Sequence, residues 1–331
     1  TAHCEYLRRK LQQCTGVNAG AIVVHCTHSH STPIPEPLDG PHPFFDLICR
    51  SAEQAGRIAM EEIQPARIGF GQTHVVGASF NQRVPLSDGG VKFTRDFREG
   101  LSSGRPVDPR ISVLRVDAID GTPLAVWVCF AAHPSVVIFD APISAEYPGY
   151  LTECLQRRLT GGAPVLFGIG ACGDVNCVPM FGTEQDSLHL GENLADLVEP
   201  VWHAIDPVAP RRIVIQQGAV DLPLDQPPDE SILDQEIAEV DEFLRRLDEN
   251  PRLSWAMGIN VEPEWSVELK RNHYTPLRDW AIAVKEAVSA GRMFPSTWSA
   301  PLDVWIVDDL SLVFYGGEPF TEIALELAAR S

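Results

Sequence analysis

The sequence predicts an α/β fold: a mixed β-sheet flanked by helices and carrying a helical insertion. Three observations lead there. Short β-rich runs alternate with amphipathic helical stretches over the first two thirds of the chain. Two core-like runs, Val304-Trp-Ile-Val307 and Leu310-Ser-Leu-Val-Phe314, return near the end. Between these parts, residues 225–300 change texture and read as a helix-rich elaboration, so residues 1–331 are taken as a single domain.

The elements follow in order. A helix is expected from about Cys4 to Gln13, with Leu7, Leu11 and Cys14 on one face and Gly16 as its stop. Ala21-Ile-Val-Val24 is a short β-rich run. Phe44 to Glu62 reads as a second helix ended by Pro65, and Ala66 to Phe70 reads as a strand. Ser79 to Asp108 is rich in Gly, Ser, Pro and charge and reads as loop. Ser112–Val116 and Leu124–Phe130 form a hairpin through Asp120-Gly121. Tyr150 to Leu159 is helical, Pro164 to Ile169 is a buried strand, and His189 to Ala204 is another helix. In the insertion, Pro227 to Asn250 reads as a long acidic helix whose apolar stripe is Ile232, Ile237, Val240, Phe243 and Leu247. A further helix takes Thr275 as N-cap, Pro276 as its first residue and Gly291 as its end.

Composition narrows the function classes. Of 331 residues, 44% are hydrophobic and 21% charged, as in an ordinary globular protein. No apolar run approaches the roughly 18 residues of a membrane span. The net charge of −19 repels nucleic-acid phosphates and anionic lipid headgroups, so neither is the expected partner. The eight cysteines (Cys4, Cys14, Cys26, Cys49, Cys129, Cys154, Cys172 and Cys177) include no Cys-x-x-Cys pair. They read as small buried hydrophobes, which fits a reducing cytoplasm better than secretion. The chain opens on Thr1 without a methionine and is read as starting inside a longer protein. Nothing in it signals an oligomeric state.

Four apolar runs lead straight into segments carrying metal-capable or catalytic side chains. Ala21–Val24 leads to His25-Cys-Thr-His28-Ser-His30, and Leu124–Phe130 to His133. Pro164–Ile169 leads to Gly170-Ala-Cys-Gly-Asp174-Val-Asn176, and Leu310–Tyr315 to Gly316-Gly-Glu318. Open α/β sheets bind ligands at the carboxyl ends of their strands, and four such ends can converge on one crevice. On an extended segment His28 and His30 point to one face and His25 to the other. The pair then offers two ligands to one metal, or one ligand and one acid–base group; a polar loop is the competing reading. Taken singly, His133 reads as a strand-end histidine and Glu318 as a solvated carboxylate. Together, two histidines and a carboxylate supply the three protein ligands of a catalytic zinc ion. The glycine-rich turn before Asn176 lacks the Gly-Lys-Ser/Thr ending of a phosphate loop, and no Gly-x-Ser-x-Gly elbow is present.

Several of these segments match one family. Thr27-His-Ser-His-Ser-Thr-Pro33 resembles the Thr-His-Thr-His-Ser-Gly-Pro signature of the neutral (non-lysosomal) ceramidases and their bacterial relatives. Phe80-Asn-Gln-Arg83 with Asp88-Gly89 resembles the relatives' Asn-Arg-Arg…Asp-Gly loop, and Phe130-Ala-Ala-His-Pro134 their second histidine motif. Ser144–Tyr150 and Gly170–Asn176 follow in the expected order, and Gly316-Gly-Glu318 with Phe320-Thr321 resembles Pro-Gly-Glu-Phe-Thr. The resemblance implies a neutral-ceramidase N-terminal-domain-like fold. It implies His28, His133 and Glu318 as ligands of Zn2+, and His30 as a group that either supports those ligands from behind or acts on the transition state. Arg83 and Tyr147 are the candidate substrate contacts. The family's fourth ligand is a tyrosine beyond the glutamate motif; Tyr315 precedes Glu318, so no residue here matches it. True ceramidases carry serine in Gly-Asp-x-Ser-Pro-Asn, where this chain has Asn176. An asparagine there can donate to a polarised carbonyl, and Asp174 beside it shapes the pocket.

The expected activity is therefore zinc-dependent hydrolysis of an amide-type bond, in an N-acyl lipid or a smaller amide or lactam. A zinc esterase or another metal-dependent hydrolase, and a non-catalytic binding protein of the same fold, are the alternatives.

Overall fold

The computed structural model describes residues 2–33, 43–138 and 143–330. Helix α1 (Ala2–Thr15) ends at Gly16, whose φ of 74° suits glycine, and α2 (Pro43–Glu61) follows. Then come β1 (Ala66–His74), β2 (Ser79–Asn81), β3 (Arg83–Pro85), β4 (Val91–Thr94) and α3 (Phe97–Ser102). The hairpin β5 (Arg110–Ala118) and β6 (Pro123–Phe130) leads to α4 (Glu146–Leu155), β7 (Val165–Ile169), β8 (Val175–Cys177) and α5 (Glu184–Ala204). Strand β9 (Ile213–Pro223) precedes the insertion of α6 (Glu230–Arg246), β10 (Trp255–Ala256), β11 (Ile259–Asn260) and α7 (Val267–Ser289). The chain closes with β12 (Thr297–Val307), β13 (Leu310–Tyr315) and α8 (Thr321–Arg330).

The principal sheet has the order β1-β5-β6-β7 and is mixed, with β6 and β7 parallel and the other pairs antiparallel. Strand β6 alternates cleanly. Val126, Val128 and Phe130 are buried with Leu151 of α4 and Leu194 of α5, while Trp127 points the other way. Helix α5 starts on a capping box between Thr183 and Asp186. It lies so close to β1 that a Cβ on Gly71 would meet Val201 at 2.7 Å. On the Trp127 side, Phe314 of β13 stacks at 5.4 Å and joins a second sheet, β13-β12-β9. Because β6 and β7 run in parallel, their carboxyl ends open side by side toward His133 and Asn176, which are bridged backbone to backbone.

Several sequence expectations are corrected. Ala21–Val24 is not a strand: a turn of tight helix covers Ala19–Ala21 and the chain then runs without a ladder partner among the described residues. The stretch Ser79–Asp108, expected as loop, holds β2, β3, β4 and α3, because β2 pairs with β8 and β4 with β11, both distant in sequence. In α6, Ile232 is exposed; the buried residues are Leu233, Val240, Phe243 and Leu244, with Leu247 just beyond. Helix α7 starts at the Ser266 cap and passes through Pro276 rather than beginning there. Burial of Tyr274 and Ala281 on its inner side compensates for the hydrogen bond that Pro276 cannot make.

Candidate metal centre

Three segments remote in sequence bring four candidate side chains together. The first carries His28 and His30. It is fastened at His30 N, which donates to Pro134 O at 3.3 Å, and at the Ser29 hydroxyl, which donates to Ser144 O at 3.0 Å. The Ser31 hydroxyl donates to Val137 O. Upstream, Ile169 N donates to His25 Nε2 at 2.9 Å, so His25 anchors the segment beside the end of β7. His28 has φ 67°, a left-handed conformation that a β-carbon resists. His133 follows β6, and Glu318 follows β13.

The three imidazoles form a triangle, with ring centroids 4.7 Å apart for His28–His133, 5.1 Å for His28–His30 and 5.4 Å for His30–His133. One nitrogen from each lies within 4.8 Å of the others, a spacing that fits a shared metal ion. Glu318 adds an oxygen 3.5 Å from His28 Nε2 and another 3.4 Å from His133 Nε2. Two details match a metal's demands. The buried His28 Nε2 has no hydrogen-bond partner among the described residues. His133 Nδ1 lies 3.0 Å from Val175 O, which leaves Nε2 free to face the cluster.

The electrostatics point the same way. Hydrogen bonding to His133 holds the Glu318 carboxyl down to about 2, with His28 and His30 adding to it. Burial opposes charge on His133, yet its hydrogen bonds to Cys172 and Glu318, which accept from the charged ring, push it up to about 10. Loss of water and repulsion from His133 lower His28. The same causes, with Arg95 contributing, hold His30 down to about 4, although its ring reaches solvent. The pocket thus sets the Glu318 carboxylate against His28 and His30, whose burial resists protonation, and against His133, which the carboxylate holds protonated, an arrangement in which a divalent cation would take the place of the proton.

The remaining expected residues lie in the supporting frame. Asp174 is fully buried: one carboxylate oxygen accepts from Thr321 N at 2.8 Å and the other from Asn81 Nδ2 at 2.8 Å. It thereby ties the glycine turn to the Glu318 loop. Gly173 N donates to Pro319 O at 3.0 Å across the same junction. Asn176 Nδ2 donates to Gln82 Oε1 at 3.0 Å, and its Oδ1 accepts from Ser135 at 3.3 Å. Arg83 sits 3.6 Å from Asp174 and 3.4 Å from Glu322, with Phe320 under its guanidinium. Tyr147, expected as a substrate contact, is placed inside the core, where its hydroxyl donates to Ala132 O at 2.5 Å. Sequence reasoning missed Arg95, which acts electrostatically on both His30 and Glu318. It follows a strand of four residues inside a stretch read as loop, so no local pattern marks it.

No protein-family model and no curated protein matches this sequence. Among solved structures, the chain is similar to the neutral ceramidase from Pseudomonas aeruginosa, with TM-score 0.56 and 16% identity over 93% of this chain and 51% of that one. It is also similar to a ceramidase complexed with C2, with TM-score 0.53 and 15% identity over 93% of this chain and 53% of that one. The chain spans about half the length of the structures it matches. The likeness is one of architecture, and this protein has a neutral-ceramidase-like fold.

Proposed function

We propose that this chain is a metal-dependent hydrolase of amide bonds, with His28, His133 and Glu318 holding a zinc ion. The observation that carries the reading is the meeting of these side chains, from three segments spread over most of the sequence, with His30 alongside. Two imidazoles and a carboxylate are a donor set suited to catalytic zinc. A cation bound there supplies Lewis acidity for a carbonyl and for a hydrolytic water.

The protein's own groups supply the rest. His30, held neutral at pH 7, accepts a proton from an attacking water or hydrogen-bonds a developing oxyanion. The polar atoms of Asp174 and Asn176 are engaged within the frame, so both act by positioning the loops that carry Glu318 and His133. Arg83 keeps Asp174 and Glu322 in place, and Tyr147 fixes the backbone just before His133. The named activity of the structural neighbours favours an N-acyl lipid-like amide over other substrates.

Hydrolysis of N-acyl amides by protein treated with chelator, then resupplied with zinc, tests this. Activity should vanish with the metal and return with it. Turnover that survives complete metal removal would refute the assignment, and turnover of matched esters alone would change the bond class.

A further inference from the structure

Arg95 is an exception among the arginines of this chain. Among the described residues, every other arginine that is not exposed to solvent pairs with a carboxylate, as in Arg8–Asp303, Arg110–Asp108 and Arg115–Asp117. Scarcity of partners is not the reason, because 45 acidic residues face 26 basic ones. The Arg95 backbone is fixed by donation from its N to Asn260 O at 2.7 Å, so the insertion holds it from outside. Its side chain donates to Gln82 Oε1, the same oxygen that accepts from Asn176 Nδ2. Asn176 is in turn bridged to His133 through the backbone. A short polar relay therefore pins one face of the guanidinium against the frame of the metal centre and leaves its other donors without a carboxylate among the described residues.

A half-buried guanidinium without a counter-ion carries a desolvation cost that an incoming anion relieves. His273 of α7 lies within electrostatic reach of it, its ring against Tyr274, whose hydroxyl donates to Ile259 O next to the Asn260 that holds Arg95; the buried His273 Nε2 has no hydrogen-bond partner among the described residues. Burial, with the charge of Arg95 adding to it, holds His273 down to about 4, so it is a neutral donor or acceptor at pH 7. A monoanion suits this setting better than a dianion, since Glu318 acts on Arg95 from the metal side and the chain as a whole is strongly acidic.

We infer that Arg95, assisted by His273, is a carboxylate-binding subsite beside the metal centre, and that the preferred substrates are amides bearing a carboxylate near the scissile bond. The inference rests on the hydrolase reading for its word "substrate", but the binding site stands without it.

Two probes of matched chain length separate the possibilities: N-octanoylglycine, which carries the carboxylate, and N-octanoylethanolamine, which does not. Calorimetric affinity and hydrolysis kinetics are measured for the zinc-loaded protein and for Arg95→Gln and Arg95→Lys. The zinc-loaded protein should prefer the glycine conjugate about tenfold or more, as expected for a charge-assisted hydrogen bond. Arg95→Gln should bring that preference close to parity, with the loss in KM rather than kcat, and Arg95→Lys should keep part of it. The lysine variant also serves if the glutamine variant melts early. Equal affinity of the zinc-loaded protein for the two probes, or binding of neither, would overturn the inference. So would a loss that falls equally on both probes, which would place Arg95 at the reacting carbonyl. Preferential binding of the glycine conjugate with no turnover of either probe would remove the hydrolase reading and leave the subsite intact.

Discussion

His28 sits at φ 67°, a conformation that costs a non-glycine residue on the order of 1–3 kcal/mol and persists only where its surroundings enforce it. The enforcement is visible in the hydrogen bonds of Ser29, His30 and Ser31 to Ser144, Pro134 and Val137. The strain is thus tied to aiming one imidazole at the cluster. Glu146, also at positive φ, is fully buried, accepting from Val137 N and Ser187. Burial, with Glu184 adding to it, pushes its carboxyl up to about 7 from 4.5. The sign follows directly. Between those two values the folded chain holds a proton that the unfolded chain has shed, so stability from this group is full below 4.5 and falls as pH rises to about 7. The loss amounts to roughly 3–4 kcal/mol. Urea midpoints at pH 5 and pH 8 should therefore differ more in the parent protein than in Glu146→Gln; equal differences would contradict the assignment.

At the scale of elements, the site is a crossing of loops that follow strands. The glycine turn after β7 and the Glu318 loop after β13 touch so closely that a Cβ on Gly173 would lie 2.3 Å from Glu318 O. Gly173→Ala should leave the fold intact but displace the carboxylate, lowering metal affinity by about 10- to 100-fold, the range seen when a ligand loses its support. Competition with a chromogenic chelator measures this, and unchanged affinity would show that the junction does not position Glu318. The long elements were legible in sequence because each has strong local signals: the Asp120-Gly121 turn for the β5–β6 hairpin, and apolar periodicity for α1, α2 and α5. The short strands β2, β3 and β4 were not, because their partners lie far along the chain and their own runs are too brief to alternate. Pro276 misled for a related reason. A proline normally starts a helix, but here the buried face of α7 outweighs one missing hydrogen bond. Among the site residues, His28, His133 and Glu318 could be found through motifs. Arg95 and His273 could not, since only tertiary pairing brings them near the cluster.

At the scale of the molecule, the described residues form two apolar cores, one between the principal sheet and α4–α5, the other within the insertion around Phe243, Leu247, Trp265 and Tyr274. They are joined rather than merely adjacent. Strand β11 of the insertion pairs with β4, Asn260 donates to Glu99 at 2.9 Å, and Phe181 packs on Trp265 at 4.0 Å. We therefore propose one domain, and calorimetry should show a single transition whose measured enthalpy equals the van't Hoff value. Two resolved transitions would make residues 225–300 a separate unit. Everything functional, however, turns on whether the cluster holds metal. Elemental analysis of protein purified without chelators, beside a His28→Ala/His133→Ala variant, decides it. About one zinc per chain in the parent and none in the variant is the predicted result for a site with three protein ligands. Metal absent from the parent, or present equally in both, would contradict the metal centre and with it the hydrolase.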